Sequence, residues 1–358
     1  MSEARRQECC VLSGPCTSRP CTFPPSSPRT ILPWIILTGA IKNPNSNLGT
    51  KGWHVTLRPG LRNRRQMRKM TASGRCSPLY SAVMRVQARA PARVDLAGGT
   101  VDIWPLYLFH PGAQTVNLAI RSYATCVVET RPDRRIVLTS HDQRQQETYE
   151  SFSDLARGES RLPLLRELVL FFEPRRGVTI TTSSQVPAGA GLAGSSTLNI
   201  ALCGALARVT GKRYTRAQVL EVAKNVEAIV IRVPTGWQDY FPALYGGANA
   251  VHLQRDGVRR EKLPLSFSEL EKRFVLCYTG APRSSAINNW EVMKAHIDGD
   301  EKVRRNFEQI TSIAGQMREA LLAGDWSDVA KLLAKEWENR KRNFKGISTP
   351  KIDEMIAR

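Results

Sequence analysis

An α+β fold is predicted for this 358-residue chain by three observations. From Met84 to about residue 150 the sequence is dense in alternating, β-type segments. From Gly158 onward helical periods dominate, with strand-like runs between them. Strands and helices mix without the regular βαβ alternation of a doubly wound sheet.

Taken in order, "MRVQARAPARVDLAG" from Met84 alternates apolar and polar residues like a strand entering a turn. "TVNLAI" and "ATCVVETRP" follow as two further strands, and "RRIVLTSHD" extends the series. In "GESRLPLLRELVLFFE" (Gly158–Glu173) leucines three and four apart predict a helix. "GVTITTSSQVP" (Gly177–Pro187) reads as a strand stopped by proline, and a helix opens at Ser195 or Ser196. Thr215 is the expected N-cap of another helix running to Ile231. Near residue 260 the chain passes to a second unit. It holds a strand, "RFVLCYTG", then helices near Ala286–His296, Glu301–Ala323 and Trp326–Phe344.

Composition divides the chain again, at about residue 84. The formal net charge is +20, yet residues 1–83 carry 13 Lys and Arg against 2 Asp and Glu. That segment is rich in Pro, Ser and Arg and lacks a sustained period, so it is expected to be disordered or a misassigned start, with native translation from Met84. Its apolar run Ile31–Ile41 is too short to span a bilayer and too late for a signal peptide. Arg62–Met70 reads as a solvated basic run, and neither nucleic acid nor membrane is an expected partner. Five of the eight cysteines lie there without zinc-site spacing; Cys126, Cys203 and Cys277 read as buried thiols of a cytoplasmic protein. The expected division is 1–83 as an extension, 84–258 as a first folded domain and 259–358 as a second α+β domain.

"VPAGAGLAGSSTLNIAL" (Val186–Leu202) raises the chemical question. Gly189, Gly191 and Gly194 have the spacing of a dinucleotide loop. Pro187 interrupts the entry, however, and the ribose-binding acid expected about 20 residues on is absent near Tyr214. No Gly-Lys-Ser/Thr follows, which excludes a Walker loop. What remains is a Gly/Ser-rich turn opening an apolar helix, suited to anionic oxygens, or simply a helix with a glycine-rich start. "VEAIVIRVPTGWQDY" sets Glu227 on a helix and Asp239 after a Pro-Thr-Gly turn. "APARVDLAGGTVDIW" sets Arg93, Asp95 and Asp102 around Gly98-Gly99. Each has a plain alternative: Asp239 as a turn residue, Glu227 as a solvated helix residue, Arg93 as a surface arginine. Asp95 reads as a structural partner, and His110 and His252 as structural too.

Together the three segments resemble the signature of the GHMP small-molecule kinases, with Ala193 inserted before the last glycine of the loop. "LAGGTVD" and "GWQDYFPALYGGAN" look most like the sugar-kinase branch of heptose 7-phosphate kinases, fucokinases and galactokinases. The resemblance implies an N-terminal domain like ribosomal protein S5, and ATP and Mg²⁺ as cofactors. It implies that Pro187, Gly189, Gly191, Leu192, Gly194, Ser195, Ser196 and Thr197 wrap the ATP phosphates. Ser196 (or Ser195) and Glu227 would bind Mg²⁺, Asp239 would be the base, Arg93 its cation, and Asp102 a sugar-hydroxyl ligand. The implied acceptor is a sugar or sugar phosphate. Gly99-Thr100, where galactokinases carry Glu-His, favours a heptose- or fucose-like one over galactose. The family's C-terminal glycine-rich motif is absent before the end at "TPKIDEMIAR", which implies a truncated chain with weak activity, or one that binds without turnover.

Overall fold

The computed structural model describes residues 83–280, 286–343 and 347–357, so the expectations for residues 1–82 lie outside the described residues. Seven strands form one mixed sheet: β1 (Arg85–Ala97), β2 (Gln114–Thr130), β3 (Ile136–Ser140), β4 (Gln145–Tyr149), β5 (Val178–Ser184), β6 (Ala248–Gln254) and β7 (Gly257–Leu263). Their order is β4-β3-β5-β2-β6-β7, with β1 hydrogen-bonded along β2. Among the described strands only β3 and β5 pair in parallel. β2 is the hub, because its 17 residues meet β5 with one half and β6 with the other. Two strands were expected there. They fuse because β1 pairs with both halves, from Arg85↔Glu129 to Ala97↔Val116.

Helices cover both faces. α1 (Phe152–Arg157), α2 (Pro163–Phe172), α3 (Gly194–Thr210), α4 (Arg216–Ile231) and α5 (Tyr240–Tyr245) lie in the first part of the chain. α6 (Phe267–Arg273), α7 (Ala286–Ile297), α8 (Glu301–Ala323), α9 (Trp326–Asn343) and α10 (Pro350–Ala357) follow the sheet. A capping box at Thr215 and Gln218 fixes where α4 begins, as the sequence suggests. Among the described residues no helix is long and apolar enough to cross a membrane.

Two cores result. In the first, Val86, Ala88 and Ala90 of β1 and Ala124, Cys126 and Val128 of β2 pack with α2, α3 and α4. In the second, Ala92, Val94 and Leu96 of β1 and Val116, Leu118 and Ile120 of β2 pack with α8 and α9. Even-numbered residues thus serve one core before a register shift between Pro91 and Arg93 and the other core after it. A shift in pairing re-aims the side chains that follow. It sets Arg93 and Asp95 on the face that Asn117 shares with its partner Asn249.

Three differences from the sequence reading stand out. Arg273–Gly280 is not a strand: α6 runs through Arg273, Phe274 is buried in the second core, and only Val275 makes an isolated bridge. Among the described residues no strand pairs with this segment, so its β-type composition has no ladder to join there. β7 also runs across residues 258 and 259, so the sheet continues past the domain boundary read from sequence. Cys126 and Cys203 are buried, as expected, with burial pushing the Cys126 thiol up to about 12, but Cys277 is exposed.

Candidate active site

The loop after β5 is built by backbone conformation. Val186 is buried as an anchor, and Pro187 accepts a hydrogen bond from the Ala190 N–H. Gly189 and Gly191 have φ of 73° and 74°, where a side chain is strained. Ala193, the residue inserted into the motif, sits at φ 59° as the N-cap of α3 and offers no side-chain cap. α3 starts at Gly194, and its first backbone bond runs from Thr197 N–H to the Ala193 carbonyl. A helix leaves its first N–H groups without intrahelical acceptors, so those of Gly194, Ser195 and Ser196 point out of a 17-residue helix. The helix dipole adds positive potential there, which suits an anion.

Six side chains converge at this helix start. Arg93 donates from Nε (2.9 Å) and Nη2 (2.5 Å) to Oδ1 of Asp239, and from Nη1 (2.7 Å) to the Gly191 carbonyl. It therefore ties β1 to both the loop and Asp239. Ser196 Oγ lies 3.3 Å from Asp239 Oδ2, and Ser195 Oγ donates to Glu227 Oε1 at 2.6 Å. Tyr240 holds the other Glu227 oxygen at 2.8 Å. Burial pulls the Arg93 pKa down, and the carboxylates of Asp239, Asp95 and Asp102 more than reverse it, so the guanidinium stays protonated. Burial pushes Glu227 up, with Ser195 opposing and the Asp239 charge adding to it.

Acids outnumber bases here. Asp95, on the same Arg93 at 3.1 Å, is also raised by burial, against the pull of Arg93. Among the described residues no three His, Cys, Asp or Glu groups cluster for a metal. Glu227, Asp239 and the two serine hydroxyls nevertheless form an all-oxygen donor set with surplus negative charge. That chemistry fits a hard cation such as Mg²⁺, which takes few protein ligands and completes its shell with phosphate and water.

Asp102 sits behind this group. Its Oδ2 accepts from the backbone N–H groups of Trp237 (2.5 Å) and Gln238 (2.7 Å), fixing the turn that ends in Asp239. Gly236 is required beside it, since a β-carbon there would lie 2.0 Å from Oδ2. Oδ1 is buried without a partner among the described residues. Burial is the main reason its carboxyl is pushed up to about 7, with the amides of Gln238 and Trp237 pulling it down.

The sequence-derived set is therefore brought together in large part: Arg93, Gly191, Ser195, Ser196, Glu227 and Asp239 share one network, with Asp102 behind it. Leu192 lies in the loop, where its carbonyl accepts from the Arg93 N–H. Pro187 is exposed at the loop entrance, and Thr197 is buried, its hydroxyl unpaired among the described residues and apart from the network. Asp95, read as merely structural, is a direct partner of Arg93. Tyr240 was missed, because a tyrosine after a motif aspartate carries no signal of its own. His110 pairs with His296 (2.8 Å) and His252 with Glu261 (2.8 Å), both away from this network.

Comparison with known proteins gives this geometry a context. Residues 162–247, from the start of α2 through α5, match the model for the GHMP kinases N terminal domain. The chain is 28% identical over 280 residues to D-glycero-alpha-D-manno-heptose 7-phosphate kinase of Campylobacter jejuni, covering 75% of this chain and 81% of that protein. It is 24% identical to L-fucokinase/L-fucose-1-P guanylyltransferase of Bacteroides fragilis, spanning 76% of this chain but 32% of that longer protein. In structure it is similar to a D-glycero-D-manno-heptose 1-phosphate kinase from Bacteroides thetaiotaomicron, with TM-score 0.57 and 24% identity over 73% of this chain and 79% of that one.

Proposed function

Since the chain carries a GHMP kinase N-terminal domain, we propose that it transfers the γ-phosphoryl group of ATP to a hydroxyl of a sugar or sugar phosphate, one that is heptose 7-phosphate- or fucose-like. The observation that carries this reading is Asp239, clamped through one oxygen by Arg93 at the open N-terminus of α3. A triphosphate needs those free N–H groups, and an acceptor hydroxyl needs a carboxylate oxygen beside them.

In the proposed reaction the two oxygens of Asp239 have different work. Oδ1 is committed to Arg93, while Oδ2 has only a long contact to Ser196 and is the oxygen able to take the acceptor proton. Arg93 orients this carboxylate and places a fixed positive charge beside the transferring group, where charge stabilisation supplies most of the catalysis. Glu227 and Ser196, with Ser195 in reserve, would hold Mg²⁺, which neutralises phosphate charge when bound. Asp102 holds the 236–239 turn in register and keeps Oδ1 for an acceptor hydroxyl.

The test is ADP release across a panel of sugars and sugar phosphates, with Asp239→Asn as control. Sugar-stimulated release that falls about 10²–10⁴-fold in Asp239→Asn, with an unchanged melting curve, is the expected result. Nucleotide binding without stimulation by any panel sugar would sink the kinase reading, and equal activity in Asp239→Asn would sink the base assignment alone.

A further inference from the structure

A cavity of about 190 Å³ opens on the other side of Arg93, between the inner end of β1, the 189–192 loop and the C-terminal helices. Asp95, Glu336 and Arg340 line it. Each bears a buried polar atom with no hydrogen-bond partner among the described residues: Asp95 Oδ1, Glu336 Oε2 and Arg340 Nη2. Each is already held through another atom. Glu336 Oε1 accepts from the Gly98 N–H (3.0 Å) and from Arg340 Nε (3.2 Å), and Asp95 Oδ2 meets Arg93. Three unmet groups round one cavity are expensive to leave so, because each forfeits its hydrogen bonds to water without replacement.

We propose that this cavity takes the uncharged, hydroxyl-bearing part of the acceptor, with Glu336 and Arg340 of α9 and Asp95 of β1 as its specificity-determining contacts. The proposal rests on the kinase reading for the word acceptor, but its recognition chemistry is separate. Two carboxylate oxygens call for donors and one guanidinium N–H calls for an acceptor; adjacent hydroxyls supply both. The charges of Arg93 and Arg340 are balanced by Asp95 and Glu336, so a phosphate here would meet two carboxylates. An apolar group would leave the three atoms unmet. Gly99 belongs to the same device. A β-carbon there would lie 1.1 Å from Arg340 Nη2, so the missing side chain is the space the guanidinium occupies.

The experiment uses calorimetry on the full chain. D-mannose, D-galactose, L-fucose and mannose 6-phosphate serve as acceptor probes, and a non-hydrolysable ATP analogue with Mg²⁺ as the nucleotide probe. Arg340→Gln and Gly99→Ala are compared with the parent, the second displacing the guanidinium while leaving the sequence of α9 unchanged. At least one sugar is expected to bind, to weaken tenfold or more in both variants, and to weaken no further when they are combined. Nucleotide affinity should stay within twofold. Sugar affinity that stays within twofold in both variants overturns the proposal, as does a chain that binds nucleotide and none of the sugars. Where Arg340→Gln fails to fold, Gly99→Ala decides alone. A chain that binds sugar with this dependence yet releases no ADP would refute the kinase reading and leave the cavity assignment standing.

Discussion

The two halves of β1 carry the same alternating pattern and have opposite roles. In the outer half Arg85, Gln87 and Arg89 are exposed, Arg85 pairing with Glu129 and Arg89 lying over the ring of Tyr123 at 4.8 Å. In the inner half Arg93 and Asp95 occupy the equivalent positions and are enclosed, with side chains 9% exposed. The difference is what covers the strand. The outer half has helices on one face and water on the other; the inner half lies between α8 and α9 on one side and the loop and α5 on the other. A strand covered on both faces cannot send its polar residues to water. They survive only in a hydrogen-bonded, charge-paired network, and that network is the candidate site.

The largest test of this contrast exchanges like for like. Arg93→Met leaves Asp239 and Asp95 without their cation and should cost about 3–5 kcal/mol of stability. It should also lower turnover about 10³-fold or more. Arg89→Met should cost no more than about 1 kcal/mol in denaturant titration and leave turnover alone. Similar losses from the two would break the comparison. The apolar face should show no such contrast: Val86→Ala and Val94→Ala, in different cores, should each cost about 1–3 kcal/mol by the same measurement.

Asp102 sharpens the point through pH. Its carboxyl is pushed up from 3.8 to about 7, chiefly by burial, so folding takes up a proton between those values. Stability from this group is present below the lower value and is lost as pH rises through the upper one. Asp102→Asn keeps an oxygen for the Trp237 and Gln238 amides and removes the charge. The variant should gain about 1–2 kcal/mol near pH 8 and lose this part of the pH slope in thermal melts. The smallest expected effect is at Ala193, whose left-handed backbone strains any side chain. Ala193→Gly should raise stability by about 1 kcal/mol, and a loss instead would show that its methyl group packs usefully.

Much of this site was legible in the sequence, because Arg93, Ser196, Glu227 and Asp239 fall in three segments whose glycines, prolines and acids have few structural reasons to occur together. The helices from residue 286 onward were legible because apolar residues recur at helical spacing. The role of Asp95 was not, since unbroken alternation from Val86 to Leu96 conceals the register shift at Pro91. Nor were Glu336 and Arg340, whose four-residue spacing on a helix reads as an ordinary surface ion pair. Only the packing of α9 against the Gly98-Gly99 turn gives them another meaning.

That packing has a consequence for how the molecule is made. The Glu336 bond to Gly98 joins positions 238 residues apart. At about 5–20 residues per second, a ribosome reaches the glutamate roughly 12–48 s after the glycine. Over that interval the nascent chain can assemble the 186–194 loop, but not the cavity beside it.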